Sequence, residues 1–428
     1  MIIGINAAAA IKQPRTGVEE YAYQLIKHLT MLPEARAHRF LLYLPSVAPA
    51  KAGMFDNKEN PSTSPPAGGS AQGILPEQVS SVPINASKAD IFDFPLPPNF
   101  EIKILRWPLP FLWTQIRLAW EILVRPPEAL FIPVHVLPLF ARLDSLSGRG
   151  WAPKNSVVTI HGLEYEYWPQ GYSSWRRWYL RWSTKSAVKR AQKIIAISEN
   201  TKQDLIKLYG VEAEKISVVY HGVGSKIFND QISISNKILN SNDQAEEPYL
   251  LYVGRIETKK NIQGILEAYK ILKEKYHVPH ELVLAGSPGY GYEALRRALR
   301  ACSGNNVREL GYVSEEEKWR LLSNTEAFLF PSFYEGFGIP VLEAQTMGVP
   351  VVTSLGSCLP EVAGQGALFV DPHSPTELAK AIKQIIDDNN LRDRLRQSGF
   401  ENIKRFSWEK CAKETLKTII ATFLAAEK

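Results

Sequence analysis

Short apolar runs alternate along the chain with longer stretches in which apolar positions recur every three or four residues. MIIGINAA, HRFLLYLP, EIKILRWP, ALFIPVHVL, NSVVTIHG, KIIAIS and KISVVYHGV have the length and apolar density of buried strands. The segment from Gly17 to Leu32, then FLWTQIRLAWEILV, SSWRRWYLRWSTKSAVKRA and ENTKQDLIKLYG, carry helical spacing between them. Further on the same grammar restarts. YLLYVGR, ELVLAG, VRELGYV, AFLFPS, PVVTS and ALFVD read as strands. KNIQGILEAYKILKEKY, YEALRRALRAC and IPVLEAQTMG read as intervening helices, and WEKCAKETLKTIIATFLAA as the closing one. Strands alternating with helices of this length predict parallel sheets with right-handed crossovers. The expectation is an α/β protein with two doubly wound, Rossmann-like domains in tandem, whose active site lies in a cleft between them.

Two stretches break the pattern. From Ser46 to about Pro98 the chain is rich in Pro, Ser, Gly and Asn, with PSTSPPAGGSAQG at its centre, and most of this stretch reads as a mobile insertion because it lacks apolar surface to bury. Residues 225–248 are polar and read as an inter-domain linker. The expected organisation is therefore an N-terminal domain over 1–224, the linker, and a C-terminal domain over 249–408. A last helix over 409–428 is expected to pack back toward the first domain.

Composition narrows this only a little. A chain of 428 residues suits two domains of about 200 residues each. A net charge of +6 fits an acidic ligand, an anionic membrane face or nucleic acid equally well. The absence of any recognised nucleic-acid module argues against the last. Cys302, Cys358 and Cys411 are far apart without CxxC spacing, which argues against disulfides and zinc and for a reducing, cytoplasmic compartment. The start of the chain lacks a positive lead and reads as a strand, and no apolar run reaches the length of a membrane span.

Candidate chemistry gathers at the carboxyl ends of strands. In FPSFYEGFGIPVLEA the strand is followed by a loop with Gly336 and Gly338, then by a helix with Pro340 near its start. Glycines that admit a ligand to the backbone, next to a helix N-terminus, make an anion site. Glu335 and Glu343 flank it. Glu343 sits among small and apolar residues, where a carboxylate needs a partner. The bland alternative is that Glu343 merely caps or pairs and that Glu335 is solvated. In VGRIETKKNI, Gly254 ends a strand, and Arg255 and Lys260 can clamp a diphosphate, although solvated basic residues would look the same. Neither GxGxxG nor GxxxxGK[ST] is present. His161 follows the strand VVTI, a place equally suited to a structural histidine.

As a set, GRIETKKN, LAG, LGYVSEEE, FPSFYEGFGIPVLEAQTMGVPVVTS and PEVAG…ALFVDP resemble the retaining GT-B glycosyltransferases of family four that build bacterial polysaccharides. The resemblance spans nearly the whole chain. It implies that the first domain binds the acceptor and the second a nucleotide diphosphate sugar. Arg255 and Lys260 would then hold the diphosphate, Glu343 the ribose, and Glu335 the transferred sugar. Backbone amides near Phe337 and Gly338, with Gly336 and Ile339 beside them, would meet the distal phosphate or sugar hydroxyls. Tyr312 and Val313 would take the base, and Gly254 and Gly286 (of LAG) would line the donor site. His161 becomes a sugar-binding and catalytic candidate. Gly17 stands at the first strand–helix turn, where the family usually has two adjacent glycines; here Val18 follows it.

The resemblance implies transfer of a hexose with retention to a glycan or lipid-linked acceptor. HGLEYEYWP and AGSPGYGYEAL look mannosyltransferase-like, which favours GDP-mannose over a UDP-sugar. No DxD-like motif is apparent, so metal-independent transfer without a cofactor is expected. The rival readings are an epimerase or phosphorylase on the same fold, or an inactive scaffold that binds nucleotide sugars. Residues 173–193 hold no acid, and Trp175, Trp178 and Trp182 recur at helical spacing. They read either as an interfacial helix on anionic lipid, which would put the protein at the inner membrane face, or as a core helix with its tryptophans packed inward.

Overall fold

The computed structural model describes residues 1–12, 15, 17–46, 91–107, 112–138, 155–224, 248–302 and 306–426. Most of the expected insertion (47–90) and of the expected linker (225–247) lies outside the described residues.

The apolar runs form two sheets. In the first, β1 (Ile2–Asn6), β2 (Arg39–Ser46), β3 (Phe100–Arg106), β4 (Ala129–Ile132), β5 (Ser156–Ile160), β6 (Lys193–Ala196) and β7 (Ile216–Val218) lie in the order β3-β2-β1-β4-β5-β6-β7. The second holds β8 (Tyr249–Val253), β9 (Glu281–Ala285), β10 (Val307–Gly311), β11 (Ala327–Phe330), β12 (Val351–Ser354) and β13 (Ala367–Val370), ordered β10-β9-β8-β11-β12-β13. β8 pairs in parallel with both neighbours, Leu251 lying opposite Val283 on β9 and Phe328 on β11. All five residues of β8 are buried, as both faces of a parallel strand under helices must be. This is the doubly wound arrangement that the alternation predicts. Its winding reverses between β8 and β11, and at such a reversal the two flanking loops part to leave a crevice at the carboxyl ends.

The chain divides into two compact units. One comprises Met1–Thr159, Ser183–Ile194 and Ala412–Lys428; the other comprises Ile160–Trp182 and Ile195–Cys411. Composition alone draws a boundary at residue 224. The segments after β5 and after β6 belong with the second unit because they are bonded into it: Leu163 N donates to Tyr334 Oη at 3.3 Å, and Ser198 Oγ donates to the Gly336 carbonyl at 3.0 Å.

In the first unit, Ile3, Ile5, Leu25, Leu42 and Phe131 are fully buried. The helix Gly17–Met31 has the span that its periodicity predicts. At its two ends the 46–98 stretch is built into the first unit. Ser46 is the last residue of β2, and Phe92 and Phe94 are buried, with Phe94 meeting Tyr23 edge-on at 5.5 Å. Two phenylalanines give this tail the apolar surface that the rest of the stretch lacks. Ala412, Leu416 and Ile419 of the last helix, Trp408–Ala426, are buried, and Lys413 pairs with Glu34 at 3.0 Å.

In the second unit the helix Ile262–Glu274 is held at its start by Asn261, whose side chain accepts from Gly264 N. The same side chain donates to the Pro331 carbonyl at 3.1 Å and the Pro372 carbonyl at 2.6 Å. One buried amide thus ties the loop after β8 to the loops after β11 and β13. A second constraint lies at Gly286, with φ +151, where a Cβ atom would stand 1.8 Å from the Gly254 carbonyl oxygen. Gly286→Ala should therefore force the β8 and β9 loops apart and destabilise the second unit by roughly 3 kcal/mol. Chemical denaturation monitored by circular dichroism checks this, the expected outcome being a clear loss of midpoint rather than wild-type stability.

Candidate functional site

The crevice between β8 and β11 is spanned by charge. Lys260, in a short 3-10 turn after β8, reaches Glu335, in the loop after β11, with Nζ 2.5 Å from Oε1. Both side chains are largely buried, at 14% and 10% exposure. The solvated alternative for Glu335 is thereby excluded. Buried charges of opposite sign hold each other in place, and removing either leaves the other uncompensated.

The loop that carries Glu335 is fixed through its carbonyls. Cys358 Sγ donates to the Glu335 and Phe337 carbonyls at 3.2 and 3.0 Å, and Ser198 Oγ holds that of Gly336. Burial, followed by the Glu335 carboxylate, pushes the Cys358 thiol up, so it stays protonated and remains a donor. Ser357 Oγ accepts from Glu335 N at 3.1 Å. The amides of Phe337, Gly338 and Ile339, by contrast, donate to no acceptor among the described residues. Gly338, left-handed at φ +103, caps the helix Ile339–Thr346. The Phe337 side chain is buried against Ile197, Val223, Leu342 and Phe406, which leaves its backbone to face the turn. Amides without acceptors at a helix N-terminus are the elements of an anion site.

Gly336 owes its identity to His161: a Cβ there would lie 2.0 Å from the His161 carbonyl oxygen. His161 thus sits beside the glycine turn, its ring 5.6 Å from that of His221. Burial and the neighbouring His161 hold His221 well below the usual imidazole range, so it is neutral. The His161 segment is locked from behind. Tyr334 Oη donates to Asp204 at 2.7 Å while accepting from Leu163 N, and Tyr167 stacks on Tyr334 at 4.8 Å.

Glu343 finds the partner that its surroundings demand. Lys318, on the helix Glu315–Asn324, lies 2.7 Å from it and 2.9 Å from Glu315. Burial alone would lower the Lys318 ammonium, but the two carboxylates outweigh it and raise it. Arg255 is exposed, and its carbonyl accepts from Tyr252 Oη at 2.7 Å. Gly254 and Gly286 bring the β8 and β9 loops together, as described above. Tyr312 is 70% exposed after β10, with Val313 packed on the core beside it. Gly17 opens a helix of the first unit. A Cβ there would meet nothing within 4 Å, so no close approach among the described residues requires a glycine at that place.

Sequence reasoning missed several residues. Lys259 pairs with Glu164 across the same region. Burial pushes the Glu164 carboxyl up, but Lys259 and a Tyr172 hydrogen bond outweigh it and bring it down to about 2. Both residues lie inside quoted motifs, KKN and HGLEYEY, yet nothing in either motif shows which lysine faces which acid. Lys318, Cys358, Ser198 and Asp204 act from segments far away in sequence. The tryptophans of the helix Ser174–Arg190 also correct an alternative. Trp175, Trp178 and Trp182 are 68%, 53% and 40% exposed and stacked on one another, so they do not pack inward.

Lys260→Met should leave Glu335 as an uncompensated buried charge and destabilise the second unit by about 3–5 kcal/mol. Adding Glu335→Gln to the same chain should recover most of that loss. Urea midpoints for the two single variants and the double variant measure the coupling; additive losses would show that the pair does not act as one.

Comparison with known proteins identifies the family and the fold. Residues 15–225 match the model of Glycosyltransferase Family 4, and residues 235–402 match that of the Glycosyl transferases group 1. The chain is 31% identical over 264 residues to O-antigen chain mannosyltransferase B of Escherichia coli, covering 61% of this chain and 69% of that protein. It is 28% identical to O-antigen chain mannosyltransferase RfbU of Salmonella typhimurium over 64% of this chain and 70% of the relative. Among solved structures, sucrose-phosphate synthase from Thermosynechococcus elongatus superimposes with a TM-score of 0.65 at 19% identity, covering 99% of both chains. WaaG, a glycosyltransferase involved in lipopolysaccharide biosynthesis, gives a TM-score of 0.62 at 16% identity, covering 98% of this chain and 99% of its own. The fold is thus GT-B, and the chain belongs to the group 1 glycosyl transferases, with a family 4 glycosyltransferase domain preceding the group 1 domain.

Proposed function

We propose that this glycosyltransferase moves a hexose from a nucleotide diphosphate sugar to a glycan or lipid-linked acceptor, with retention and without a metal ion. The observation that carries the reading is the Lys260–Glu335 pair across the β8/β11 crevice, beside a glycine turn whose amides have no acceptor among the described residues. The mannosyltransferase relatives favour GDP-mannose as donor, and a UDP-sugar is the second choice. HepE from Anabaena, a fold neighbour, has been solved with UDP-glucose.

In this reading Arg255, Lys260 and the amides of Phe337 and Gly338 hold the diphosphate. Glu335 meets the sugar, with His161 on its other side; Glu343, steadied by Lys318, meets the ribose; Tyr312 and Val313 meet the base. As the bond between the anomeric carbon and the diphosphate oxygen breaks, negative charge grows on that oxygen, where the cations and amides already stand. The acceptor hydroxyl forms the new bond on the same face, and its proton passes to the departing diphosphate. No protein nucleophile is needed.

A thermal-shift screen of UDP, GDP and ADP with their sugars tests the donor, since a ligand of the folded state raises its apparent stability. GDP and GDP-mannose should give the largest shifts. In a transfer assay Arg255→Ala should lower turnover by about 10²-fold or more, and chelation should leave the rate unchanged. Sugar interconversion without acceptor, phosphate-dependent release of sugar phosphate, or full activity in Glu335→Ala would contradict the reading.

We also place the protein at the cytoplasmic face of a membrane. Besides the exposed tryptophans of the basic helix Ser174–Arg190, the first unit exposes Leu112, Ile116, Trp120 and Val124 at a spacing of four. No helix among the described residues is long and apolar enough to cross a membrane. Apolar side chains beside arginines suit an interfacial position on anionic lipid. The protein should float with phosphatidylglycerol vesicles and not with phosphatidylcholine vesicles, and a Trp175→Ser, Trp178→Ser, Trp182→Ser variant should float less. Equal flotation of wild type and variant would remove this helix from the contact.

A further inference from the structure

The second unit contains a concavity of about 500 Å³ that the donor reading does not use. That volume falls within the range of about 300–1,000 Å³ typical of small-molecule sites. Three of its lining rings stack in succession: Trp168 lies on Phe333 at 4.9 Å and 10°, and Phe333 lies against His373 at 4.9 Å and 35°. Tyr290, 53% exposed, lines it as well. Its rim includes Gln263 and Glu267 on the helix Ile262–Glu274, with Gln263 Nε2 donating to Glu267 Oε1 at 2.8 Å. The Trp168 indole N–H is buried and has no acceptor among the described residues, so stacking rather than a hydrogen bond sets the ring's position.

The charge of the lining decides what fits. Among the described residues no lysine or arginine lines the concavity, and its one carboxylate is that of Glu267. A phosphate or nucleotide would meet a carboxylate and no cation, the opposite of the Arg255 and Lys260 arrangement. The exposed Tyr290 ring offers a face whose quadrupole attracts polarised C–H groups. The Gln263 amide and Glu267 carboxylate are planar, already oriented by their mutual bond, and keep further donor and acceptor positions for hydroxyls. A neutral polyhydroxylated ring, with C–H groups on one face and hydroxyls around its edge, meets both needs.

We propose that this concavity is a second saccharide site, which holds a neutral sugar unit of the glycan chain on which the enzyme acts. The proposal rests on the glycosyltransferase reading and deepens its acceptor side. Phe333 connects the two places: its amide donates to the Lys259 carbonyl at 3.0 Å, one residue before Lys260, and it precedes Glu335 by two residues. An occupied concavity would therefore hold a chain on the same loops that carry the donor groups.

The test uses the full chain without donor. Mannotriose and maltotriose are titrated and followed by saturation-transfer NMR and by tryptophan fluorescence. Wild type should bind at least one of them, and Trp168→Ala and Tyr290→Ala should each weaken binding by at least about tenfold. Because Trp168 packs on Phe333, Gln263→Ala with Glu267→Ala provides a rim variant that leaves the ring stack untouched. It too should weaken binding, while the thermal shift given by nucleoside diphosphates stays at its wild-type value. Failure of wild type to bind either oligosaccharide, or wild-type binding by the rim and Tyr290 variants, overturns the proposal. Absence of the nucleotide shift in wild type would strike the donor reading instead, so the two failures are distinguishable.

Discussion

The ion pair between Lys260 and Glu335 is the constraint on which the second unit's chemistry depends. It crosses the point where the sheet's winding reverses, joining the loop after β8 to the loop after β11. Buried opposite charges are poor sources of net stability, because desolvation takes back most of their attraction. Their value lies in placement. A lysine held by a glutamate is already dehydrated and aimed, so it can turn to a ligand's phosphate without first leaving bulk water.

Around that pair the protein places its polar groups selectively. The carbonyls of the glycine loop are held by Cys358 and Ser198, and the backbone of Glu335 by Ser357, whereas the amides that follow donate to no acceptor among the described residues. Asn261 binds three loops at once, and the contact of Gly336 with His161 admits no side chain. The two glutamates of EGFGIPVLEA accordingly have separate partners, Lys260 and Lys318. In the proposed reading they are two stations along one donor rather than an acid/base couple.

Much of the fold was legible in the sequence because parallel strands are buried on both faces and so read as continuous apolar runs. Each of the thirteen described strands overlaps a segment read as a strand, although β2 and β3 run one residue beyond theirs and β10 carries the exposed Arg308 and Glu309. The packing of the tail of the 46–98 stretch was not legible because Phe92 and Phe94 are a short apolar signal inside a polar context. At the site, the placement of Arg255, Lys260, Glu335, Gly336 and Gly338 in loops at strand ends was legible from local motif. Lys259, Glu164, Lys318, Cys358 and Asp204 were not, since their partners lie far away in sequence and only tertiary structure brings them together. The orientation of the Ser174–Arg190 tryptophans was likewise undecidable from spacing alone, because three rings at helical intervals serve a core or a surface equally well.

The central claim is that one crevice reads a donor in sections, with cations on the diphosphate and Glu335 on the sugar. Calorimetric titration of a nucleoside diphosphate and of its sugar into wild type, Arg255→Ala and Glu335→Gln tests this most directly. The account predicts that Arg255→Ala weakens both ligands by about tenfold or more, and that Glu335→Gln removes only the increment contributed by the sugar. Unchanged diphosphate binding in Arg255→Ala, or an equal loss of both ligands in Glu335→Gln, would contradict it.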